Sequence, residues 1–287
     1  MQTANRPAPR YGAALEYDPV SKQLLLIGGA GDNLPVHELW AWRPDRGWQQ
    51  LTPAIVPAAG YMSAMVWDAA LGRALLMTNE GTGTWTWDGV AWSAASGPGL
   101  DASILGGAAY DAGSGEVVVL GQAARGSAMA ASGEEMWSWS GADWQMSQTP
   151  MSARVEAVVA YDQLHGQLVV YGGFGDGDPT TWLWDGQTWR GVHTSVYPMA
   201  NQSSAAYDPV RSQVVMYAPG GETWTWDGTG WTLRSTGGPG IRRESSMAFD
   251  AAIGKVVLFG GKSPEGQSEV AHNDLWAWDG THWSQLA

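Results

Sequence analysis

Cysteine is absent from this chain of 287 residues, and phenylalanine occurs only three times. Without cysteine there is no disulfide framework, no cysteine nucleophile and no thiolate metal ligand. No apolar run reaches membrane length, and the N-terminal stretch MQTANRPAPR lacks the apolar core of a secretory signal. We therefore expect a soluble, cytoplasmic chain that makes no membrane contact. A mature secreted form with an added Met1 fits the same residues.

Positive charge is also scarce, because 15 lysines and arginines face 28 aspartates and glutamates, for a net charge of −13. Phosphate binding requires a basic surface, so nucleic acid is not an expected partner. No G-x-S-x-G nucleophile motif occurs. Glycine-rich stretches such as GGFGDGDP follow expected strands without opening a helix, which makes them poor phosphate loops. We expect no cofactor.

Tryptophan is the abundant residue, with 19 copies, and 18 of them fall in one short motif that occurs six times. The copies are LWAWRPDRGW, TWTWDGVAW, MWSWSGADW, TWLWDGQTW, TWTWDGTGW and LWAWDGTHW. A period of this length indicates a repeat architecture. Two tryptophans spaced two apart in a strand point to the same face of a sheet, which predicts that nearly all of them are core residues.

A second element precedes each tryptophan motif, an aromatic residue followed by aspartate, as in Tyr161-Asp162. An aliphatic run closed by glycine, such as QLVVYGG, lies between the two elements and reads as a strand. Each repeat therefore predicts four strands, A to D. In the fourth repeat they are expected at 157–161, 167–171, 181–184 and 189–192. The Asp-Gly pair between strands C and D predicts a two-residue turn, because both residues tolerate positive φ.

Six such repeats without a compositional break predict an all-β fold in which one domain, 1–287, is a six-bladed β-propeller. The expected blades are 9–52, 59–95, 102–148, 153–193, 199–235 and 241–287. The chain starts near strand A of the first repeat and ends near strand D of the last. We therefore expect blade 6 to join blade 1 by side-chain packing alone, in a monomer.

The repeats RYGAALEYD…QLLLIGG…HELWAW…GW and RRESSMAFD…KVVLFGG…NDLWAWDG…W resemble kelch repeats. The shared features are an arginine before strand A, a double glycine after strand B, an aromatic strand C and a tryptophan that opens strand D. The resemblance covers almost the whole chain and implies the propeller fold. It extends to the galactose oxidase propeller, but the cysteine–tyrosine copper site of that enzyme is excluded because the chain has no cysteine. Function is not implied, because similar propellers serve as enzymes and as binding modules.

The face formed by the B–C and D–A loops is the expected functional face, because variation among the repeats concentrates in the B–C loops. Aligned residues before strand A also break the repeat. Blades 2 and 3 have Tyr61, Met62 and Leu105 there, whereas blades 4 to 6 have polar and charged residues. The expected ligand-binding residues at this channel mouth are Arg10, Tyr11, Tyr61, Met62, Leu105, Arg154, Asn201, Gln202, Arg242, Arg243, His193 and Tyr197.

Three functions are compatible with this pocket. The first is binding of a small molecule or peptide, anionic or carbonyl-bearing, with the arginines holding its oxygens. The second is a cofactor-independent acid–base enzyme, an isomerase, lyase or cyclase, with Glu156 and Glu244 as the catalytic candidates. The third is a protein–protein interaction module. His37 and His272 are weak metal candidates, because no closely spaced pair of ligands is present.

Overall fold

The computed structural model describes residues 5–31, 34–78, 83–95, 100, 102–123, 133–175 and 177–287, with side chains omitted at 102–106, 122–123 and 133–134. This part of the chain contains strands and turns but no helix, so no helix in it could cross a membrane. Six four-stranded antiparallel sheets follow one another along the chain. The first strand of each sheet contacts the first strands of the sheets on either side, and that of the sixth contacts that of the first. The chain is therefore a six-bladed β-propeller, as predicted.

Strands A to D of each blade form one sheet, and the strands are numbered in chain order. Blade 1 has β1 (Ala14–Asp18), β2 (Gln23–Ile27), β5 (Leu39–Arg43) and β6 (Gly47–Leu51), and its B–C loop holds β3 (Ala30–Gly31) and β4 (Leu34–Pro35). Blade 2 has β7 (Ala64–Asp68), β8 (Arg73–Met77), β9 (Thr84–Trp87) and β10 (Trp92–Ala94). Blade 3 has β11 (Ala102–Asp111), β12 (Glu116–Ala123), β13 (Gly133–Trp139) and β14 (Trp144–Ser152).

The second half continues the same pattern. Blade 4 has β15 (Val158–Asp162), β16 (Gln167–Tyr171), β17 (Thr181–Trp184) and β18 (Trp189–Val192). Blade 5 has β19 (Ser204–Asp208), β20 (Gln213–Tyr217), β21 (Thr223–Trp226) and β22 (Trp231–Ser235). Blade 6 has β23 (Ser246–Asp250), β24 (Lys255–Phe259), β27 (Leu275–Trp278) and β28 (Trp283–Gln285), with the hairpin β25 (Lys262–Glu265) and β26 (Ser268–Ala271) in its B–C loop.

The core lies between the blades rather than in one central body. One cluster of buried apolar side chains occupies each of the six interfaces between neighbouring blades. Strand B lies between strands A and C and packs against neighbours on both faces, so all five residues of β2 and of β16 are buried. This is why strand B reads as an uninterrupted aliphatic run. Eleven of the 19 tryptophans are buried and the other eight are partly buried, in agreement with their predicted place in the core.

Tryptophan hydrogen bonds also link successive blades. The indole Nε1 of Trp231, at the start of strand D in blade 5, donates to Thr181 Oγ1, at the start of strand C in blade 4, at 2.9 Å. Trp144 and Trp283 make the same bond to Thr84 and Thr223 of the blades before them. Where the preceding blade has leucine at the threonine position, as for Trp48 and Trp92, the indole nitrogen is buried and has no partner in the described part of the chain.

Thr181→Val should lower the free energy of unfolding by about 1–2 kcal/mol, because the buried Nε1 of Trp231 would lose its acceptor. The side chain of Thr181 is fully buried and valine has nearly the same shape. Urea unfolding measures the change, and Thr86→Val, whose hydroxyl is bonded only at the surface, is the control. Equal stability of the two variants would contradict a contribution from the interblade bond.

The repeat aspartates form turns on one face of the ring. Each aspartate after strand A is buried, and its Oδ1 accepts hydrogen bonds from backbone N–H groups two or three residues later, as Asp18 does from Val20 and Ser21. The prediction of a two-residue turn at the Asp-Gly pairs was wrong, because in blade 4 Trp184 pairs with Trp189 and four residues connect them. Positive φ falls on the glycine alone, for example Gly186 at 91°. Asp185 instead accepts bonds from the two N–H groups of Gln187 and Thr188, because a carboxylate held beside free amides caps the turn.

Ring closure also differs from the expectation. Among the strands that the structure describes, no blade combines strands from both ends of the chain, but packing alone does not join blade 6 to blade 1. The Arg10 N–H donates to the His272 carbonyl at 2.9 Å, and the Gly261 N–H donates to the Arg10 carbonyl at 3.0 Å. A Cβ on Gly260 would lie 2.5 Å from that same carbonyl oxygen, so glycine permits the approach. Backbone hydrogen bonds therefore close the ring in addition to packing.

Candidate functional site

A shared backbone conformation shapes the channel mouth. Equivalent residues just before strand A adopt left-handed φ in five of the six blades, and these are Gly12 (61°), Met62 (63°), Glu156 (61°), Gln202 (60°) and Glu244 (56°). Backbone hydrogen bonds run between them, from Gly12 N–H to Glu244 O, from Met62 N–H to Gly12 O and from Glu244 N–H to Gln202 O. A residue other than glycine is strained in this region, and such strain often marks functional sites.

A cavity of about 130 Å³ lies at this mouth, and it is lined by Gly12, Tyr61, Met62, Glu156, Ala157, Gln202, Ser203, Glu244 and Ser245. Five of these residues were predicted as site residues from the sequence. The other four were missed, although each belongs to or adjoins the aligned positions before strand A.

The two glutamates belong to one hydrogen-bonded group. The Tyr61 hydroxyl donates to Glu156 Oε1 at 2.5 Å, and the Gln202 amide donates to Glu244 Oε1 at 2.5 Å. The second oxygens, Glu156 Oε2 and Glu244 Oε2, are buried and have no hydrogen-bond partner in the described part of the chain. Buried acceptors without partners are uncommon and require an explanation.

Burial raises the pKa of Glu156; the hydrogen bond from Tyr61 opposes this effect, and the nearby charge of Glu244 adds to it. Burial and the same two carboxylates raise the pKa of Tyr61 far above the ordinary tyrosine value, so its phenol stays protonated. The pKa of Tyr11 is also raised, by burial and then by Glu244.

Blade 6 supplies a second charged group beside the cavity. Lys262 Nζ lies 3.1 Å from Glu244 Oε1 and 3.3 Å from Glu269 Oε2, and it stands 4.1 Å from the centroid of the Tyr11 ring. Arg243 pairs with Glu269, and its Nε lies 3.7 Å from Glu244. Sequence reasoning missed Lys262. The signal was available, because the residue after the double glycine is Ala30 in blade 1, Phe174 in blade 4 and lysine only in blade 6.

The three arginines that precede strand A in blades 1, 4 and 6 lie inside the blades instead of lining the cavity. Arg10, Arg154 and Arg242 are at most 4% exposed. Each donates to the carbonyl of the first glycine after strand B, which is Gly28, Gly172 or Gly260, and to a carboxylate, which is Glu38, Asp178 or Asp274. The guanidinium groups thus hold the B–C loop against strand A of the same blade.

The remaining predicted residues lie around the mouth or away from it. Tyr11 packs edge-on against Tyr61, with ring centroids 5.7 Å apart. Asn201, Tyr197 and His193 are exposed and do not line the cavity, and His193 contacts Thr180. The side chain of Leu105 lies outside the described residues.

The two histidines proposed as metal candidates are not part of an evident ligand cluster. His272 Nε2 lies 2.7 Å from Ser263 Oγ, and burial followed by the charge of Arg242 lowers the pKa of His272. His37 is exposed. Within the described ranges, no group of three or more histidine, aspartate and glutamate residues could hold a metal ion.

No protein-family model matches the chain, and no curated protein matches it at a significant level. The fold therefore defines its class, a six-bladed β-propeller. A fold of this class suits ligand binding or protein interaction.

Proposed function

We propose that this protein binds a small ligand carrying hydroxyl or amino groups in the cavity at the channel mouth. The observation that carries the proposal is that Glu156 and Glu244 line one cavity, and that the buried Oε2 atom of each has no hydrogen-bond partner among the described residues. Hydrogen-bond donors of a ligand would satisfy both oxygens. With a volume of about 130 Å³, the cavity suits a small ligand.

The charge of the lining argues for donors rather than for an anion. Two carboxyl groups line the cavity and no guanidinium group does, because Arg10, Arg154 and Arg242 are engaged inside the blades. Lys262 and Arg243 flank Glu244 and offset part of its charge. An amine or a polyhydroxyl compound therefore suits the lining better than the anionic ligand expected from the sequence.

We also propose that the blades are of the kelch type. The arginine and the double glycine that define the resemblance meet in blades 1, 4 and 6, where the guanidinium donates to the carbonyl of the first glycine. The same three blades have a backbone bridge one residue further on, which pairs Tyr11 with Ala30, Val155 with Phe174 and Arg243 with Lys262. A common local structure thus accompanies the common residues.

A second candidate function is acid–base catalysis in the same cavity. It is favoured by the raised pKa of Glu156, because a carboxyl group that keeps its proton closer to neutral pH can act as a general acid. Glu156 would donate a proton and Glu244, paired with Lys262, would accept one, as an isomerase, lyase or cyclase requires.

The experiment is a titration of the protein with a panel of small amines, polyols and carboxylates, followed by NMR and by crystal structures of the complexes. We expect an amine or a polyol to bind at the channel mouth. Glu244→Gln should weaken that binding by roughly 10-fold or more, because it removes a charged acceptor. Glu265→Gln, on the exposed hairpin of the same blade, is the matched control and should change nothing.

Two results would refute the binding proposal: ligand density confined to the face of the aspartate turns, or unchanged affinity in a double Glu156→Gln, Glu244→Gln variant. The enzyme hypothesis is tested by a different measurement. If a substrate is turned over, Glu156→Gln should lower kcat by about 10²–10⁴-fold while binding persists. If compounds bind but none is turned over, the ligand-binding proposal stands and the acid–base enzyme hypothesis is rejected.

A further inference from the structure

The central channel contains a second cavity, nearer to the aspartate turns. Its volume is about 240 Å³, and residues of strand A from all six blades line it. In blade 1 the lining includes Leu15 and Glu16, three and four residues after Gly12 of the first cavity. Because β1 runs from the channel mouth toward the turn at Asp18, Glu16 lies further along the channel than Gly12. The two cavities therefore contain different carboxyl groups.

Glu16 breaks the repeat at a position where the other blades agree. In the register of strand A on strand B, the residues of the other five blades that occupy the position of Glu16 are Val66, Ala109, Ala160, Ala206 and Ala248. Five blades fold with a small apolar residue there, so the blade itself does not require a carboxyl group. Comparison with the other blades therefore argues that Glu16 is not needed for the fold of blade 1.

The carboxyl group of Glu16 has no cationic partner among the described residues. Its Oε1 accepts a hydrogen bond from the Tyr17 N–H at 2.9 Å, and the Trp67 N–H also favours the ionised form. The group is enclosed by protein while its residue remains partly open to the cavity. Burial raises the pKa of Glu16 to about 7. The other titratable groups in the lining are the phenols of Tyr110, Tyr161 and Tyr207.

We propose that Glu16 is the binding group of a second site, which takes a small primary alkylammonium ion into the channel. A carboxylate enclosed without a counter-charge is costly, and a cation from solvent would remove that cost. The lining also includes the aromatic residues Trp67, Tyr110, Tyr161, Tyr207 and Phe249, which pack against the apolar clusters between the blades. A ring face turned toward the cavity would attract an ammonium group. A Ca²⁺ or Mg²⁺ ion would need several oxygen ligands, whereas an ammonium group needs one carboxylate and a few acceptors.

The test uses ethylammonium chloride as the probe, with calorimetry for affinity and NMR of the Glu16 carboxyl carbon for its protonation. We expect saturable binding that lowers the pKa of Glu16, because the cation stabilises the carboxylate. Binding should weaken as the pH falls below about 7, where Glu16 takes up a proton. Glu16→Gln should weaken binding by roughly 10- to 100-fold. Glu16→Ala gives blade 1 the residue of blades 3 to 6 and should bind as poorly.

Glu265→Gln is the matched control, because Glu265 is exposed on the hairpin of blade 6 and lines neither cavity. Unaltered affinity of ethylammonium in this variant, together with loss in Glu16→Gln, would support the channel site. The proposal is overturned if the wild-type protein does not bind the probe, or if Glu16→Gln binds it equally well. Loss of binding in Glu244→Gln but not in Glu16→Gln would overturn it while supporting the proposed function of the channel mouth.

Discussion

Replacing Trp226 with alanine should lower the free energy of unfolding by about 3–5 kcal/mol, the usual cost of truncating a large aromatic residue in a core. Trp226 has no exposed surface and lies in the cluster between blades 4 and 5. Its ring centroid is 5.5 Å from that of Trp231, which opens strand D of the same blade. Thermal and urea unfolding measure the loss.

Two variants nearby make the interpretation specific. Trp224→Ala should cost less, because Trp224 is only partly buried and lies at the edge of the same cluster. Trp226→Phe should cost far less than Trp226→Ala, because Trp226 Nε1 has no hydrogen-bond partner to lose among the described residues. A melting temperature of Trp226→Ala close to that of the wild type would show that this tryptophan is not a core residue.

Glu156→Gly should eliminate ligand binding at the channel mouth with little change in stability. Glycine adopts the φ of 61° without the strain of a side chain, which is about 1–2 kcal/mol. The variant also loses the hydrogen bond from Tyr61, about 0.5–1.5 kcal/mol, and gains about 0.5–1 kcal/mol of unfolded-state entropy. These contributions nearly cancel, so the net change should stay within about 1 kcal/mol. Calorimetry with the ligand found by the titration and urea unfolding measure the two effects separately.

Gly12→Ala provides the reverse comparison at the equivalent position of blade 1. Its φ is also 61°, and an added Cβ would collide with the Tyr61 ring, so this variant should be destabilised. Our interpretation would be wrong if Glu156→Gly retained full ligand affinity. It would be equally wrong if Glu156→Gly lost several kcal/mol of stability, since the glutamate would then support the fold instead of the site.

The pocket lining could be predicted in part because the repeat served as its own alignment. Met62, Glu156, Gln202 and Glu244 occupy one aligned position, to which five blades give the same left-handed backbone conformation, and Tyr61 precedes that position in blade 2. Because the blades are arranged in a ring, these equivalent positions all lie around the mouth of the central channel. Lys262 was missed because it follows strand B and reaches the mouth only through its bridge to Arg243.

The arginines show where the pattern was insufficient. Arg10, Arg154 and Arg242 stand next to the pocket residues in sequence, and a guanidinium group is a common binder of anions. Whether such a group faces the channel or the blade depends on the carboxylate that it meets. Glu38, Asp178 and Asp274 follow these arginines by 24 to 32 residues, and only the folded B–C loop brings each pair together.

The sequence by itself determined the class of fold, the number of blades and the strands, because the period of the tryptophan motif and the alternation within strands are local properties of the chain. Tertiary structure decided which polar groups face the channel. It directed three arginines inward, brought Lys262 to Glu244 and enclosed Glu16 without a cation. These outcomes depend on contacts between residues far apart in the chain, and burial, which sets the charge of each group, exists only once the ring has closed.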